Sequence, residues 1–298
     1  MVSAVEVFDE RPCELGEGPS YDDRTGQFRW IDIMGSRVLW RSVEGTDGGD
    51  LPTPGHVGAA VPRANGGLVL CLPEGPALRD PDGTVTPVGT YADADTDAGH
   101  PAPPGAPAMR SNDAKADPAG RLWLGTMAYD QTSGAAALYR LEPGARRPER
   151  VVGGATISNG LGWSADGTRM YYIDTPTGRV DVFDYDPATG TPAHRRPFVT
   201  IAPGDGSPDG MCMDAADGIW VALHSGGAVR RYAPDGTLDR VVALPTPLVT
   251  SCAFGGAAYD MLIITTAVQG RTDDPGAGRT YVHRPGDVVG LPAHRYDG

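Results

Sequence analysis

Apolar and polar positions alternate along this chain in short runs, each bounded by Gly, Pro, Asn or Asp. One arrangement recurs: a polar residue, a short apolar run, a tight turn, then an apolar strand that opens near an aromatic. It is clearest at Asn112-Asp113 … Gly120 … Trp123, at Asn159-Gly160 … Gly167 … Tyr171 and at Asp209-Gly210 … Gly218 … Trp220. Two β-rich runs joined by residues that tolerate positive φ read as a hairpin. Weaker copies begin at Glu17, Val57 and Ser251. The six starts, near 17, 57, 112, 159, 209 and 251, lie 40, 55, 47, 50 and 42 residues apart. A period of roughly 40–50 residues, each holding several short strands, predicts one propeller blade per unit. The fold expected is therefore all-β: a six-bladed β-propeller, one domain over residues 1–298.

The phase of the polar openers matters most. If they begin the innermost strands, Glu17, Asn112, Asn159 and Asp209 converge from four blades on one mouth of the central channel. The plainer reading makes Asn-Gly and Asp-Gly turn residues. Against it, these pairs precede the inner strand, whereas the hairpin turns fall later, at Gly120, Gly167 and Gly218.

The rest of the chain fits the ring. Val2 to Phe8 alternates and is expected to pair with the strand at Thr280–His283, closing the circle and covering its edges. Residues 45–55 read as a loop. Residues 91–109, rich in Ala, Pro and Gly, read as an irregular insertion without regular structure. It is either a lid over the channel mouth or a surface insertion.

Composition excludes several classes. The net charge is −13 over 298 residues and no basic stripe appears, which argues against nucleic acid. Cys13, Cys71, Cys212 and Cys252 are dispersed, so they read as buried thiols rather than a zinc or disulfide framework. No leader pattern or membrane-length apolar run is seen, and a cytoplasmic protein is expected. The sequence is silent on oligomeric state.

The opener set offers only oxygen, which suits a hard divalent cation. Other candidates fail on pattern. Asp93-x-Asp95-x-Asp97 lacks the Gly and Glu of a calcium loop, and Gly16-Glu17-Gly18 lacks a dinucleotide context. His224-Ser225 adjacency does not make a triad, and His224 reads as structural or pocket-lining.

Several segments resemble the signatures of the gluconolactonase/regucalcin (senescence marker protein) family. They are Leu15–Pro19, Arg110-Ser-Asn112-Asp113-Ala-Lys115 through Met127, Ser158-Asn159-Gly160, Pro208-Asp209-Gly210 and Thr250-Ser251-Cys252. The resemblance implies a six-bladed propeller with one divalent metal at the channel mouth, Ca²⁺ first, with Zn²⁺, Mg²⁺ or Mn²⁺ as alternatives. It implies Glu17, Asn159 and Asp209 as metal ligands, Asp209 also as general base, and Arg110, Asn112 and Asp130 as substrate contacts. Tyr129-Asp130 stands where an acidic pair is commoner, and Ala114 where Gly is frequent. The expected activity is metal-dependent opening of a sugar (aldono-) lactone, with the metal polarising the carbonyl. The alternatives are a phosphotriesterase or aryl esterase on the same site, or a metal-binding propeller without catalysis.

Overall fold

The structure, a computed structural model, describes residues 5–298. It contains six four-stranded antiparallel sheets. Their inner strands are Gly16–Asp22, Ala59–Pro62, Met109–Ala116, Ser158–Trp163, Ser207–Met213 and Val249–Gly255. Each inner strand packs beside the next, and the last returns to the first, so the sheets form a ring of six blades. The unit starts read from the sequence all fall at or beside these strands. Closure comes from the N-terminal strand Glu6–Asp9, which pairs antiparallel with Thr280–His283. That pairing was expected, although the part of it at residues 2–4 lies outside the described residues.

The recurring motif has a structural job that its residues explain. The Asp117 carboxylate accepts from the backbone N–H of Ala119 and Arg121, each at 2.9 Å, and from Trp123 Nε1 at 3.2 Å. Asp214 repeats this with Ala216, Gly218 and Trp220. One buried carboxylate thus satisfies the turn's orphan donors and fixes the tryptophan between blades, where an unpaired polar group would be costly. Gly120 and Gly167 take positive φ, of 77° and 68°, as hairpin turns require. At the third turn it is Asp217 that turns left-handed, at φ 58°, and not Gly218. Gly218 is needed for space instead: a Cβ there would lie 2.5 Å from the Arg231 guanidinium and from Asp214 Oδ2.

Two stretches differ from the sequence expectation. The supposed loop at 45–55 contains the outer strand Gly48–Pro52. An edge strand needs no apolar pattern, and Gly49 lies against the Trp40 ring, which a Cβ would meet at 2.9 Å. The supposed irregular insertion opens with a helix, Tyr91–Asp97. Thr90 caps it, its hydroxyl accepting from the Asp93 N–H at 3.0 Å. Tyr91 and Ala94 are buried against blade 3, so packing rather than periodicity makes this short helix. Asp93, Asp95 and Asp97 bond separately to Thr90, Tyr139 and Arg147.

All four cysteines are free and buried, as expected. Among the described residues no helix is long and apolar enough to cross a membrane.

Candidate active site at the channel mouth

Five of the six inner strands carry a register break at the opener. The breaks fall between Glu17 and Ser20, Ser111 and Ala114, Ser158 and Leu161, Pro208 and Met211, and Val249 and Ser251. A bulge re-aims the side chains at its centre. Here it leaves Glu17, Asn112, Asp113, Asn159 and Asp209 buried, at 8%, 8%, 5%, 5% and 7% exposure. Blade 2 has no bulge and no polar opener. The glycines after the openers are not turn residues. A Cβ on Gly160 would sit 2.7 Å from the Asp209 carbonyl oxygen, and one on Gly210 would sit 2.1 Å from Ser251 Oγ. They let neighbouring inner strands approach closely enough for their side chains to meet.

The meeting is explicit in the hydrogen bonds. Arg110 donates to Asn112 Oδ1 at 2.8 Å and to the Ser111 carbonyl at 2.9 Å. Asn112 Nδ2 donates to Asn159 Oδ1 and to the Ser158 carbonyl, both at 3.0 Å. Asn159 Nδ2 donates to Thr175 Oγ1 at 2.8 Å, and the Thr175 hydroxyl donates to the Pro208 carbonyl at 2.9 Å. One chain of donors therefore runs from blade 3 through blade 4 to blade 5.

The acids are buried and repel one another. Burial raises the Glu17 carboxyl well above its usual range, and repulsion from Asp209 and Asp113 pushes it further. Burial and Asp113 do the same to Asp209, although Arg110 and a hydrogen bond from Asn159 oppose them. Burial also raises Asp113, whose Oδ2 is buried with no hydrogen-bond partner. Burial lowers the Arg110 pKa, while Glu17, Tyr129 and Asp209 favour its charged form. Among the described residues no three His, Cys, Asp or Glu side chains form a metal cluster. A cation held here needs the Asn159 amide oxygen beside the two carboxylates. The all-oxygen donors, the crowded, mutually repelling acids and the orphan Asp113 oxygen fit a hard divalent cation.

The channel has a floor. Lys115 donates to the carbonyls of Leu161, at 3.0 Å, and of Met211, tying three inner strands together. A cavity of about 130 Å³ lies in the channel, lined from every blade and by Leu291–His294. That tail crosses from a bridge between Asp214 and Gly290 to one between Arg63 and Tyr296. It lines the end of the channel remote from the openers.

The structure thus gathers Glu17, Arg110, Asn112, Asn159 and Asp209 but does not bring Asp130 to them. Asp130 is exposed and accepts from the Thr132 N–H at 3.0 Å and its hydroxyl at 2.7 Å. The neighbouring Tyr129 instead lies in the electrostatic reach of Arg110 and hydrogen-bonds His56 Nδ1 at 2.7 Å. His224 is half-buried, its Nε2 donating to Gln269 Oε1 at 2.9 Å and its Nδ1 lying 3.2 Å from Ser225 Oγ. Among the described residues no carboxylate hydrogen-bonds this ring, so the pair lacks the third member of a triad. Asp113 and His56 were not singled out from the sequence, and Tyr129 was noted only for standing where an acidic pair is commoner. Asp113 stands inside the opener pair, and His56 precedes the blade 2 inner strand, which is the signal each offered.

Comparison with known proteins bears on this geometry. Residues 15–268 match the family model described as SMP-30/Gluconolactonase/LRE-like region. Regucalcin of Danio rerio is 35% identical, with 99% of this chain and 98% of that protein covered. Pentonolactonase XacC of Haloferax volcanii is 36% identical, covering 89% of this chain and 85% of that one. Among solved structures, the calcium-binding protein regucalcin of Agrobacterium tumefaciens superposes with a TM-score of 0.89 at 28% identity, covering 99% and 98%. With its fold, its ordered motifs and most of its length matched, the chain belongs to the SMP-30/gluconolactonase/LRE-like family.

Proposed function

We propose that the protein is a divalent-cation-dependent lactonase that opens a sugar lactone to its aldonic acid. The observation that carries this reading is the convergence of Glu17, Asn159 and Asp209, buried and with the two carboxylates repelling one another, beside the donors of Arg110 and Asn112. The sugar-lactone class draws on the names of relatives, a pentonolactonase among them.

Glu17, Asn159 and Asp209 would hold the cation, with calcium the first candidate. When bound, such a cation supplies Lewis-acid polarisation of an ester carbonyl and charge opposite a developing oxyanion. The chain's own groups do the rest. The Arg110 guanidinium, fixed by its bonds to Ser111 and Asn112, keeps further N–H donors for ring hydroxyls. The Asn112 amide adds polarity at the same edge. Asp209 accepts the proton of the attacking water at a carboxylate oxygen. Asp209→Ala, folded and cation-loaded, is expected to lose lactone turnover. Near-normal turnover by that variant would remove the role given to this carboxylate.

A further inference from the structure

Tyr129 is a large aromatic side chain left 41% exposed beside a buried, polar site. It directly follows the strand Leu122–Ala128, which pairs with the strand carrying Arg110; Arg110 faces Met127 in that register. Its backbone N–H donates to the Ala108 carbonyl at 2.9 Å, so its position is set just ahead of Arg110. The turn that follows is also fixed. Asp130 accepts from Thr132, and the Gln131 N–H donates to the Ala128 carbonyl at 3.0 Å. The Asp130 carboxylate thus holds its own loop, and Tyr129 is the residue presented toward Arg110.

The ring is steered from blade 2. The Tyr129 hydroxyl and His56 Nδ1 are 2.7 Å apart, and the two rings are 5.6 Å apart at an interplanar angle of 57°. His56 ends just before the one inner strand that has no polar opener. The mouth therefore has polar donors on the sides of blades 3 and 4, and an aromatic wall between blades 2 and 3. A cyclic sugar has the matching surface: hydroxyls along its edge and a face of C–H bonds.

We propose that Tyr129, positioned by His56 and by the Asp130 turn, is a specificity-determining residue: its ring is the platform for the C–H face of a cyclic sugar lactone whose hydroxyls meet Arg110 and Asn112. This deepens the lactonase reading and rests on it for the reaction, though not for the binding. The substrate class it selects is a ring lactone with several hydroxyls, in preference to open-chain esters of similar size.

The test uses the full, cation-loaded protein with Tyr129→Ala and Tyr129→Phe. Gluconolactone serves for turnover, and an anhydroalditol, the same ring without its carbonyl, for binding by saturation-transfer NMR. Tyr129→Ala is expected to raise KM by about threefold to tenfold, the size of one half-exposed aromatic contact, with kcat within about twofold. Tyr129→Phe keeps the ring and is expected to stay within about twofold of wild type in both. Saturation of the anhydroalditol protons should be lost in the Ala variant only. A wild-type KM in Tyr129→Ala, a fall in kcat alone, or equal losses in the Phe and Ala variants would each overturn the platform. If the wild type opens no lactone, the lactonase reading fails by itself. The NMR comparison then still decides: stronger transfer to wild type than to Tyr129→Ala supports the platform, and equal or absent transfer overturns it.

Discussion

Asn112 donates to Asn159 Oδ1 at 3.0 Å while its own Oδ1 accepts from Arg110 at 2.8 Å. A candidate substrate-binding arginine and a candidate cation ligand on the next blade are thus held by one amide. Support of this kind fixes a ligand's orientation, and its loss typically costs about tenfold to a hundredfold in metal affinity. Asn112→Ala should therefore weaken calcium binding by about that factor, although Asn112 is not itself among the ligands. Competition against a chromophoric chelator measures it. Unchanged affinity would mean that Asn159 is held without help.

The raised carboxyls make a prediction about pH. Burial first, then repulsion from Asp209 and Asp113 for Glu17 and from Asp113 for Asp209, raises both above the ordinary carboxylate range. The folded, cation-free protein then keeps protons that the unfolded chain releases above about pH 4. Its stability should fall as pH rises from there through the raised values. A bound cation reverses the preference, so binding should release protons and flatten the dependence. Melting temperature followed against pH, with chelator and with calcium, shows whether the two curves diverge in this direction. Calorimetry in two buffers of different ionisation heat counts the protons.

Gly210 allows Asp209 and Ser251 to lie on closely packed strands. A Cβ at Gly210 would fall 2.5 Å from the Ser251 Cβ and 2.9 Å from its Cα. Gly210→Ala should cost about 1–3 kcal/mol of stability, as overpacking of a rigid interior does. Denaturant unfolding measures the loss, and weaker calcium binding should accompany it because Asp209 is displaced. A neutral substitution would show that the strands can part without consequence.

The tail that crosses the far end is anchored by Tyr296, which is 1% exposed and donates its hydroxyl to the Glu142 carbonyl at 3.1 Å. Its backbone pairs with Pro62 and Ala64. Tyr296→Ala should destabilise the protein by roughly 2–4 kcal/mol through lost burial and the cavity left behind. Well below the melting temperature, turnover at the opposite mouth should be retained. Thermal unfolding and initial rates on the same preparation separate the two effects.

The ring was legible because its signals are local. Gly120 and Gly167 sit where hairpins need positive φ, and the openers at Glu17, Asn112, Asn159 and Asp209 precede those turns in constant phase. What escaped is set by tertiary partners. Gly48–Pro52 has no strand composition and is held by pairing along an edge. The helix Tyr91–Asp97 depends on a Thr90 cap and on burial against blade 3. The tail at Leu291–His294 reads as turn residues until the mouth beneath it is known. Within the site, the openers mark which blades contribute, but a bulge has no sequence signature that aims a side chain. Asp130 and Tyr129 are adjacent, and only the Thr132 hydrogen bonds show which of them is held in its own loop.

The central claim is that the Glu17, Asn159 and Asp209 cluster makes this propeller a cation-dependent lactonase. The most direct measurement strips the protein with chelator and follows acid release in weak buffer over a panel of sugar lactones, aryl esters and phosphotriesters, with Ca²⁺, Zn²⁺, Mg²⁺ and Mn²⁺ added back singly. The account predicts no turnover after stripping and turnover of a sugar lactone restored by at least one divalent ion. Lactone opening that persists without any cation, or a folded and cation-loaded protein that opens no lactone, would contradict it.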